Sequence, residues 1–452
     1  MAYQTVTSEL LQNLSAVCAA VVTGEDIGAD YARDEYPGAP CLPEAVAVAD
    51  STEAVAEVLR LCGAAGVPVT VRGAGTGQVG GSVPVRGGVV LSVKGMNQIL
   101  ALDEENKTIT VQPGVLLQDV KAEADKHGLY YPPDPGEPTA TIGGNASTNA
   151  SGPCAVKYGR TRDYVLDAVI VLADGTVTRL SDETAAVIGG EGTLGVITEL
   201  TLRLIDKPGA DAILLFPFLD TETAVNAARA ILDAGFDPAV VEYLDTDIVE
   251  FSGNVTGNPV FPVEMDGERV GATLMVTIEG DDYDAVMEKM EQIAEMAEDL
   301  ECLDILVGDS PTMKRDFWAA HAAFHTSMES GAKSAWEVNV DIPMDAAADM
   351  IGYAKTVGEE NGLKVMLNAH LASGGMHIHA VSDLSREESA PAAAAFAAAV
   401  YAKTAALGGN VAGEYGIGYA KNAYLSDEAR AAFAAAKTAL DPQGILNPGK
   451  RV

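Results

Sequence analysis

The chain has 452 residues, 48% of them hydrophobic and 21% charged, a balance that suits a soluble globular protein of two or three domains with a large buried core. Its 65 acidic side chains outnumber 29 basic ones, and the formal net charge of −36 repels nucleic acid and anionic lipid, which excludes both as general partners. No apolar run is long enough for a membrane span, and residues 1–10 lack the basic-then-apolar pattern of a secretion signal, so the expected location is cytoplasmic. Cys18, Cys41, Cys62, Cys154 and Cys302 are scattered, with no CxxC pair. That spacing argues against a disulfide framework and against an iron–sulfur cluster, and leaves buried thiols as the expectation.

In chain order, residues 52–63 place Val55, Val58 and Leu59 at helical spacing. Residues 66–71 form a short buried-strand pattern that feeds the loop Arg72-Gly73-Ala74-Gly75-Thr76-Gly77. Strands follow at 89–93 and 108–111, and a helix at 115–127 ends near His127. The prolines of 131–138 remove amide donors and exclude regular structure there. A second glycine-rich segment spans 141–152, and strands at 169–173 and 193–204 enclose the turn Asp174-Gly175. Lys207-Pro208-Gly209 is the candidate domain boundary. Beyond it strand and helix alternate: strands at 212–218 and 271–278, helices at 223–234, 284–299, 312–327 and 344–357, and alanine-rich helices at 390–407 and 426–440. This alternation implies a sheet covered by helices, an α+β arrangement.

Two features carry chemistry. Residues 364–371 and 376–381 read as strands joined by a two-residue turn at Ser373-Gly374, a register that opposes His370 and His377 directly, with Cβ atoms about 5 Å apart. With Glu414, in the run Gly413-Glu414-Tyr415-Gly416-Ile417-Gly418, they make a three-ligand set of the kind that holds a catalytic divalent metal. A polar cross-strand pair at a sheet edge is the bland alternative. The loop at 72–77 offers amides that approach a phosphate without side-chain obstruction. It is not the dinucleotide fingerprint, because a strand rather than a helix follows it, and a plain structural turn stays open. His321 and His325 sit one turn apart on the helix 312–327, as a solvated or capping pair, and His379 shares a strand face with His377.

Read together, several ordered segments resemble the flavin-binding domain of the vanillyl-alcohol oxidase and p-cresol methylhydroxylase superfamily, in the branch of glycolate oxidase and the FAD-linked D-lactate and D-2-hydroxyglutarate dehydrogenases. They are residues 68–77, Pro133-Asp134-Pro135-Gly136, Thr141-Ile142-Gly143-Gly144-Asn145, Val156-Lys157-Tyr158-Gly159, Gly192-Thr193-Leu194-Gly195-Val196-Ile197-Thr198 and Leu446-Asn447-Pro448-Gly449-Lys450. The resemblance implies an α+β chain with a two-subdomain FAD-binding domain at 1–207, a substrate or cap domain at 208–410 built on an antiparallel sheet covered by helices, and a C-terminal segment at 411–452 that returns to the FAD site. It implies that residues 72–77 cradle the FAD pyrophosphate, that residues 135–149 (Thr148 and Asn149 included) and 192–197 line adenosine and isoalloxazine, and that Asn447 returns to the ring. Residues 66–100 hold no histidine or cysteine, so the FAD is expected to be non-covalent. Carried over by position, His370, His377 and Glu414 become ligands of a divalent metal (Zn, Fe or Mn).

Two departures from the branch bear on substrate. Tyr415 stands where relatives place a histidine base, and a phenol, with an unperturbed pKa of about 10, is a poor base near neutrality. Trp318-Ala319-Ala320-His321 replaces the usual Trp-x-x-Arg that meets a substrate carboxylate, with Lys314 and Arg315 one turn earlier as candidate substitutes. The implied activity is oxidation of a small D-2-hydroxy acid, with Tyr415, His321, His325 or His379 relaying the proton. Electrons would leave to an electron-transferring flavoprotein or an iron–sulfur subunit, and homodimerisation is left open. The alternatives are a different, phenolic or uncharged, alcohol and an electron-transfer subunit with a degenerate substrate site.

Overall fold

The computed structural model describes residues 3–451. Two compact units emerge, one of residues up to 151, 160–207 and 415 onward, the other of residues 152–159 and 208–414. The chain therefore passes from one unit to the other after residues 151, 159, 207 and 414.

In the first unit a four-stranded sheet has the spatial order Ala20–Thr23, Ala45–Val48, Val89–Ser92, Val69–Arg72, with the last three strands parallel. Parallel neighbours need a crossover, and the helix Thr52–Ala65 supplies one, capped by the Ser51 hydroxyl and stopped by Gly66. Its buried Val55, Val58, Leu59 and Cys62 join Val69, Val89 and Leu91 in one core. A five-stranded antiparallel sheet follows, in the order Ile99–Asp103, Thr108–Val111, Val196–Arg203, Val165–Val171, Val177–Arg179. The edge strand Ile99–Asp103 escapes the sequence pattern because it is half solvated and carries no apolar alternation. The glycine-rich stretch at 141–152 is not all loop: Ile142–Thr148 is a helix whose first turn is capped by Thr141. None of the five cysteines forms a disulfide among the described residues, and Cys62 is buried whereas the other four are half-buried, fewer buried thiols than the composition suggested.

The second unit is a seven-stranded sheet with the order Leu306–Gly308, Ala210–Phe218, Ala272–Gly280, Val240–Asp245, Lys364–His370, Gly375–Ser382, Ser334–Asp341, every neighbouring pair antiparallel. Its central strands are apolar almost throughout, since helices cover both faces. On one face Ile213, Leu215, Leu244, Met275 and Met366 pack with Phe317, Phe324 and Met328 of the helices Pro311–Ala322 and Phe324–Gly331. These two helices replace the single one expected at 312–327, because the chain breaks at Ala323. Among the described residues no helix is long and apolar enough to cross a membrane.

The hairpin that carries His370 and His377 has a different register from the one its sequence suggests. His370 pairs with Gly375 and His377 with Asn368, so four residues, 371–374, make the turn instead of two. The Gly374 amide donates to His370 O at 2.9 Å, and Ile342 N donates to Gly374 O at 2.8 Å. A slip of two residues preserves the face, because side chains alternate with period two. The histidines thus remain on one side of the sheet as a diagonal rather than a directly opposed pair.

Gly374 sets this turn: its φ is +90°, and a Cβ would lie 2.7 Å from the Ile342 carbonyl oxygen. Gly374→Ala is expected to lower unfolding free energy by about 1–3 kcal/mol. Gly352→Ala, in a helix where a Cβ meets nothing within 4 Å, should raise it by about 0.5–1 kcal/mol. Chemical denaturation of both variants checks the contrast, and an unchanged Gly374→Ala midpoint would refute the strain.

Candidate active site

Glu242 lies inside the apolar strand Val240–Asp245 with no exposed side-chain surface. A carboxylate in such a place demands compensation, since an uncompensated buried charge costs several kcal/mol. It is held between two imidazoles: Glu242 Oε1 lies 2.5 Å from His370 Nδ1, and Oε2 lies 2.9 Å from His321 Nε2. On the other side of the hairpin, Glu337 of the edge strand Ser334–Asp341 places Oε1 2.9 Å from His377 Nδ1 and Oε2 2.9 Å from His325 Nδ1. The second of these contacts is close enough for an ion pair but misaligned for a hydrogen bond.

An ionised carboxylate only accepts, so Nδ1 of His370 and of His377 carries the proton and donates it. The lone pairs at Nε2 are thereby turned toward a common point. The two Nε2 atoms are 3.2 Å apart, and Glu414 Oε2 lies 3.5 Å from His370 Nε2 and 3.3 Å from His377 Nε2. Two ligands about 2.1 Å from one ion stand about 3.0–3.5 Å apart at octahedral or tetrahedral angles, so these spacings fit a shared divalent ion. Glu414 Oε1 is buried without a hydrogen-bond partner among the described residues. The Glu414 backbone amide is fixed by a 2.7 Å hydrogen bond to Asn339 Oδ1.

The charges point the same way. Burial alone would push the imidazoles down, but Glu242 and then Glu414 lift His370 to about 10, and Glu337 and Glu414 lift His377 to about 9. Against the same burial, His370 and His377 hold Glu414 down at about 2. The pocket thus favours positive charge, yet two imidazolium N–H groups cannot both point across 3.2 Å. A single cation on the two lone pairs satisfies both demands.

His321 and His325 are not a solvated or capping pair. The break at Ala323 sends them to different carboxylates, His321 to Glu242 and His325 to Glu337. The proposed substitutes for the missing arginine go elsewhere: the Lys314 amine is held by Asp211 at 2.8 Å, and Arg315 bonds Asp316 at 3.0 Å. His379 is buried, and burial lowers its pKa to about 4. Tyr415 follows Glu414 directly and is half-buried. Glu242, Glu337 and Asn339 escaped the sequence reading. An acid inside the run Val240-Val241-Glu242-Tyr243-Leu244 was the available signal, since fully buried carboxylates are rare unless paired.

In the first unit, several residues assigned to flavin come together. A Cβ on Gly73 would sit 2.1 Å from the Thr141 hydroxyl, so the loop at 72–77 and the start of the helix Ile142–Thr148 touch through a missing side chain. Gly192 lies against Val71, and Asn447 Nδ2 donates to Glu191 O at 2.8 Å and to Gly81 O at 2.9 Å. Arg72 donates to Arg33 O and Ser82 Oγ, while its buried Nε has no partner among the described residues. This bare backbone cradle with an orphaned guanidinium donor fits a phosphate-bearing cofactor. Asn149 caps the C-terminal end of that helix in the left-handed conformation and accepts from the Arg162 amide. Ile197 is a buried strand residue, whereas Pro135 and Gly136 lie on the outer loop beside Asp134. Glu191, which accepts from the Ile417 and Gly418 amides at 2.9 and 2.6 Å, was not anticipated.

The fold and these two sites define a flavoprotein oxidoreductase built of two units. Residues 43–181 match the FAD binding domain family model and residues 207–451 that of the FAD linked oxidases, C-terminal domain. The chain is 36% identical to a D-lactate dehydrogenase of Anaerostipes hadrus, over 99% of this chain and 98% of that one. It is 31% identical to the Glycolate oxidase subunit GlcD of Bacillus subtilis (strain 168), over 93% and 91% of the two chains. A crystal structure of p-cresol methylhydroxylase with substrate bound superposes with a TM-score of 0.80 at 20% identity, covering 99% of this chain and 97% of the other, a likeness of fold. The chain belongs to the FAD-linked oxidases of the vanillyl-alcohol oxidase and p-cresol methylhydroxylase superfamily, and is an FAD-dependent oxidoreductase.

Asp34 lies beside Gly77, where a Cβ would sit 3.5 Å from its Oδ2, and accepts from the Tyr36 amide at 3.1 Å and the Ser82 amide at 3.5 Å; burial raises its pKa from 3.8 to about 6. A raised carboxylate favours the folded state only while protonated, so its contribution to stability falls as pH rises from about 4 to about 6. Asp34→Asn should therefore stabilise the protein at pH 7.5 by up to about 3 kcal/mol and change nothing below about pH 4. Denaturation curves across that range test this, and parallel pH profiles for the two proteins would refute it.

Proposed function

We propose that the chain oxidises the CH–OH carbon of a small D-2-hydroxy acid of the lactate or glycolate type to the 2-oxo acid. The observation that carries this reading is the pair of Nε2 lone pairs and the Glu414 carboxylate converging within 3.5 Å. The activities for which the D-lactate dehydrogenase and glycolate oxidase relatives are named support the same substrate class. When bound, non-covalent FAD supplies a two-electron acceptor at N5, and a divalent ion (Zn, Fe or Mn) supplies Lewis-acid polarisation of the substrate oxygens.

His370, His377 and Glu414 hold that charge in place, and Glu242 and Glu337 keep the two imidazoles in the ligating tautomer. Position 321 offers no guanidinium to the substrate carboxylate, because His321 occupies it and is tied to Glu242. The anion is therefore met by charge held at the trio. Oxidation removes a hydride from carbon and a proton from oxygen. Tyr415, as its phenolate, is the acceptor for the proton: His321 is engaged, and His379, near pKa 4, is a weak base. Arg72, Gly73, Ala74, Gly75, Thr76, Gly77, Thr141, Gly143, Gly144, Asn145, Gly192 and Asn447 are the residues we assign to FAD. The electrons then pass to an electron-transferring flavoprotein or an iron–sulfur subunit.

Anaerobic mixing with D-lactate or D-2-hydroxy acids of similar size should bleach the flavin, and Tyr415→Phe should slow the bleaching about 10²–10⁴-fold. No reduction by any hydroxy acid would sink the substrate assignment, and reduction by vanillyl-type alcohols instead would move it to an uncharged alcohol. An unchanged rate in Tyr415→Phe would remove Tyr415 from the proton path. Glu242→Gln, which loses the acceptor that fixes His370, should weaken Zn²⁺ binding about 10–100-fold in a competition titration with a chromophoric chelator. Equal affinities would show that Glu242 is only structural.

A further inference from the structure

Beside the trio lies a second set of donors, of which the proposed reaction uses only Glu337, to orient His377. Glu337 of the edge strand is paired directly across the sheet with His379, so both side chains stand on one face. His325, from the first turn of the helix Phe324–Gly331, reaches down onto that face, with its ring centroid 5.9 Å from that of His379. One ligand atom from each of His325, Glu337 and His379 lies within 4.8 Å of the others, and His325 Nδ1 is already 2.9 Å from Glu337 Oε2. His379 is 3% exposed.

We propose that His325, Glu337 and His379 form a second divalent-metal site, taking a borderline transition ion such as Zn²⁺ or Co²⁺. Two imidazoles and one carboxylate suit such an ion and leave open positions for water or substrate oxygen. Ligands about 2.1 Å from a tetrahedral ion stand about 3.4 Å apart, so closure draws together atoms that now lie within 4.8 Å of one another by up to about 1.4 Å. His325 keeps 34% of its side-chain surface exposed, which provides the entry path.

Charge supplies an independent reason. Glu242, Glu337 and Glu414 put three negative charges into one apolar pocket, and one divalent ion on neutral imidazoles leaves an excess of one. A second divalent ion reverses that sign and gives the pocket a net positive charge. Glu337 links the two centres, with one oxygen on His377 Nδ1 and the other facing the new site. The use of this charge for an anionic substrate rests on the function proposed above; the site itself does not.

The test is Co²⁺ titration of the FAD-loaded, chelator-stripped protein, read by metal analysis and by the d–d absorption of the ion. Wild type should bind two ions per chain, and His325→Gln, His379→Leu and Glu414→Gln one each. Flavin content and circular dichroism verify that each variant is folded, and His325→Gln, at a partly exposed position, guards against misfolding of His379→Leu. A single ion in wild type that survives both histidine substitutions and is lost in Glu414→Gln would overturn the second site while leaving the trio intact. A single ion lost in either histidine variant but retained in Glu414→Gln would uphold the second site and remove the first. No binding in wild type would overturn both.

Discussion

Three carboxylates, Glu242, Glu337 and Glu414, are drawn into the interior of the second unit, and compensating them is the constraint to which the rest of the site answers. Five histidines gather around them, and the carboxylate hydrogen bonds of His321, His370 and His377 decide which of their ring nitrogens carry protons and which present lone pairs. Without the acids, the imidazoles would be ordinary weak bases in an apolar pocket. Without the imidazoles, the acids would be too costly to bury. Neither half of the arrangement is stable alone, so the cluster behaves as one electrostatic object.

The antiparallel sheet is what makes such an object reproducible. His370, His377, His379, Glu242 and Glu337 all stand on strands, where register fixes position to a fraction of a residue. His321 and His325 come from the helical layer, and the break at Ala323 is what allows neighbours in sequence to serve different acids. In the first unit the corresponding device is steric: Gly73 and Gly192 remove side chains where backbone segments must meet.

Much of this was legible in the sequence, and what was not has physical causes. The strand–helix alternation after residue 208 and the hairpin around 370–377 follow from apolar periodicity, and the trio from donor chemistry. The hairpin register was misjudged by two residues because Gly374 N and Ile342 N, a main-chain partner far along the chain, stabilise a longer turn than local turn rules favour. The single helix expected at 312–327 continued through Ala323 because nothing in its propensity forces a stop; tertiary packing does. Glu242 and Glu337 were invisible for a related reason. Their partners lie tens of residues away, and only the sheet order brings them within hydrogen-bond reach.

The four passages of the chain between its two units give the molecule a modular character that its linear order conceals. Residues 152–159 are inserted in the first unit's sequence yet belong structurally to the second, where Tyr158 and Lys157 both engage Glu279. A recombination event that exchanged only residues 208–414 with a relative would leave this eight-residue excursion facing an unfamiliar surface. Exchange of the second unit is thus a two-segment operation, and changes at Glu279 and at 157–158 are expected to travel together. The hereditary unit and the folding unit of this flavoprotein do not coincide.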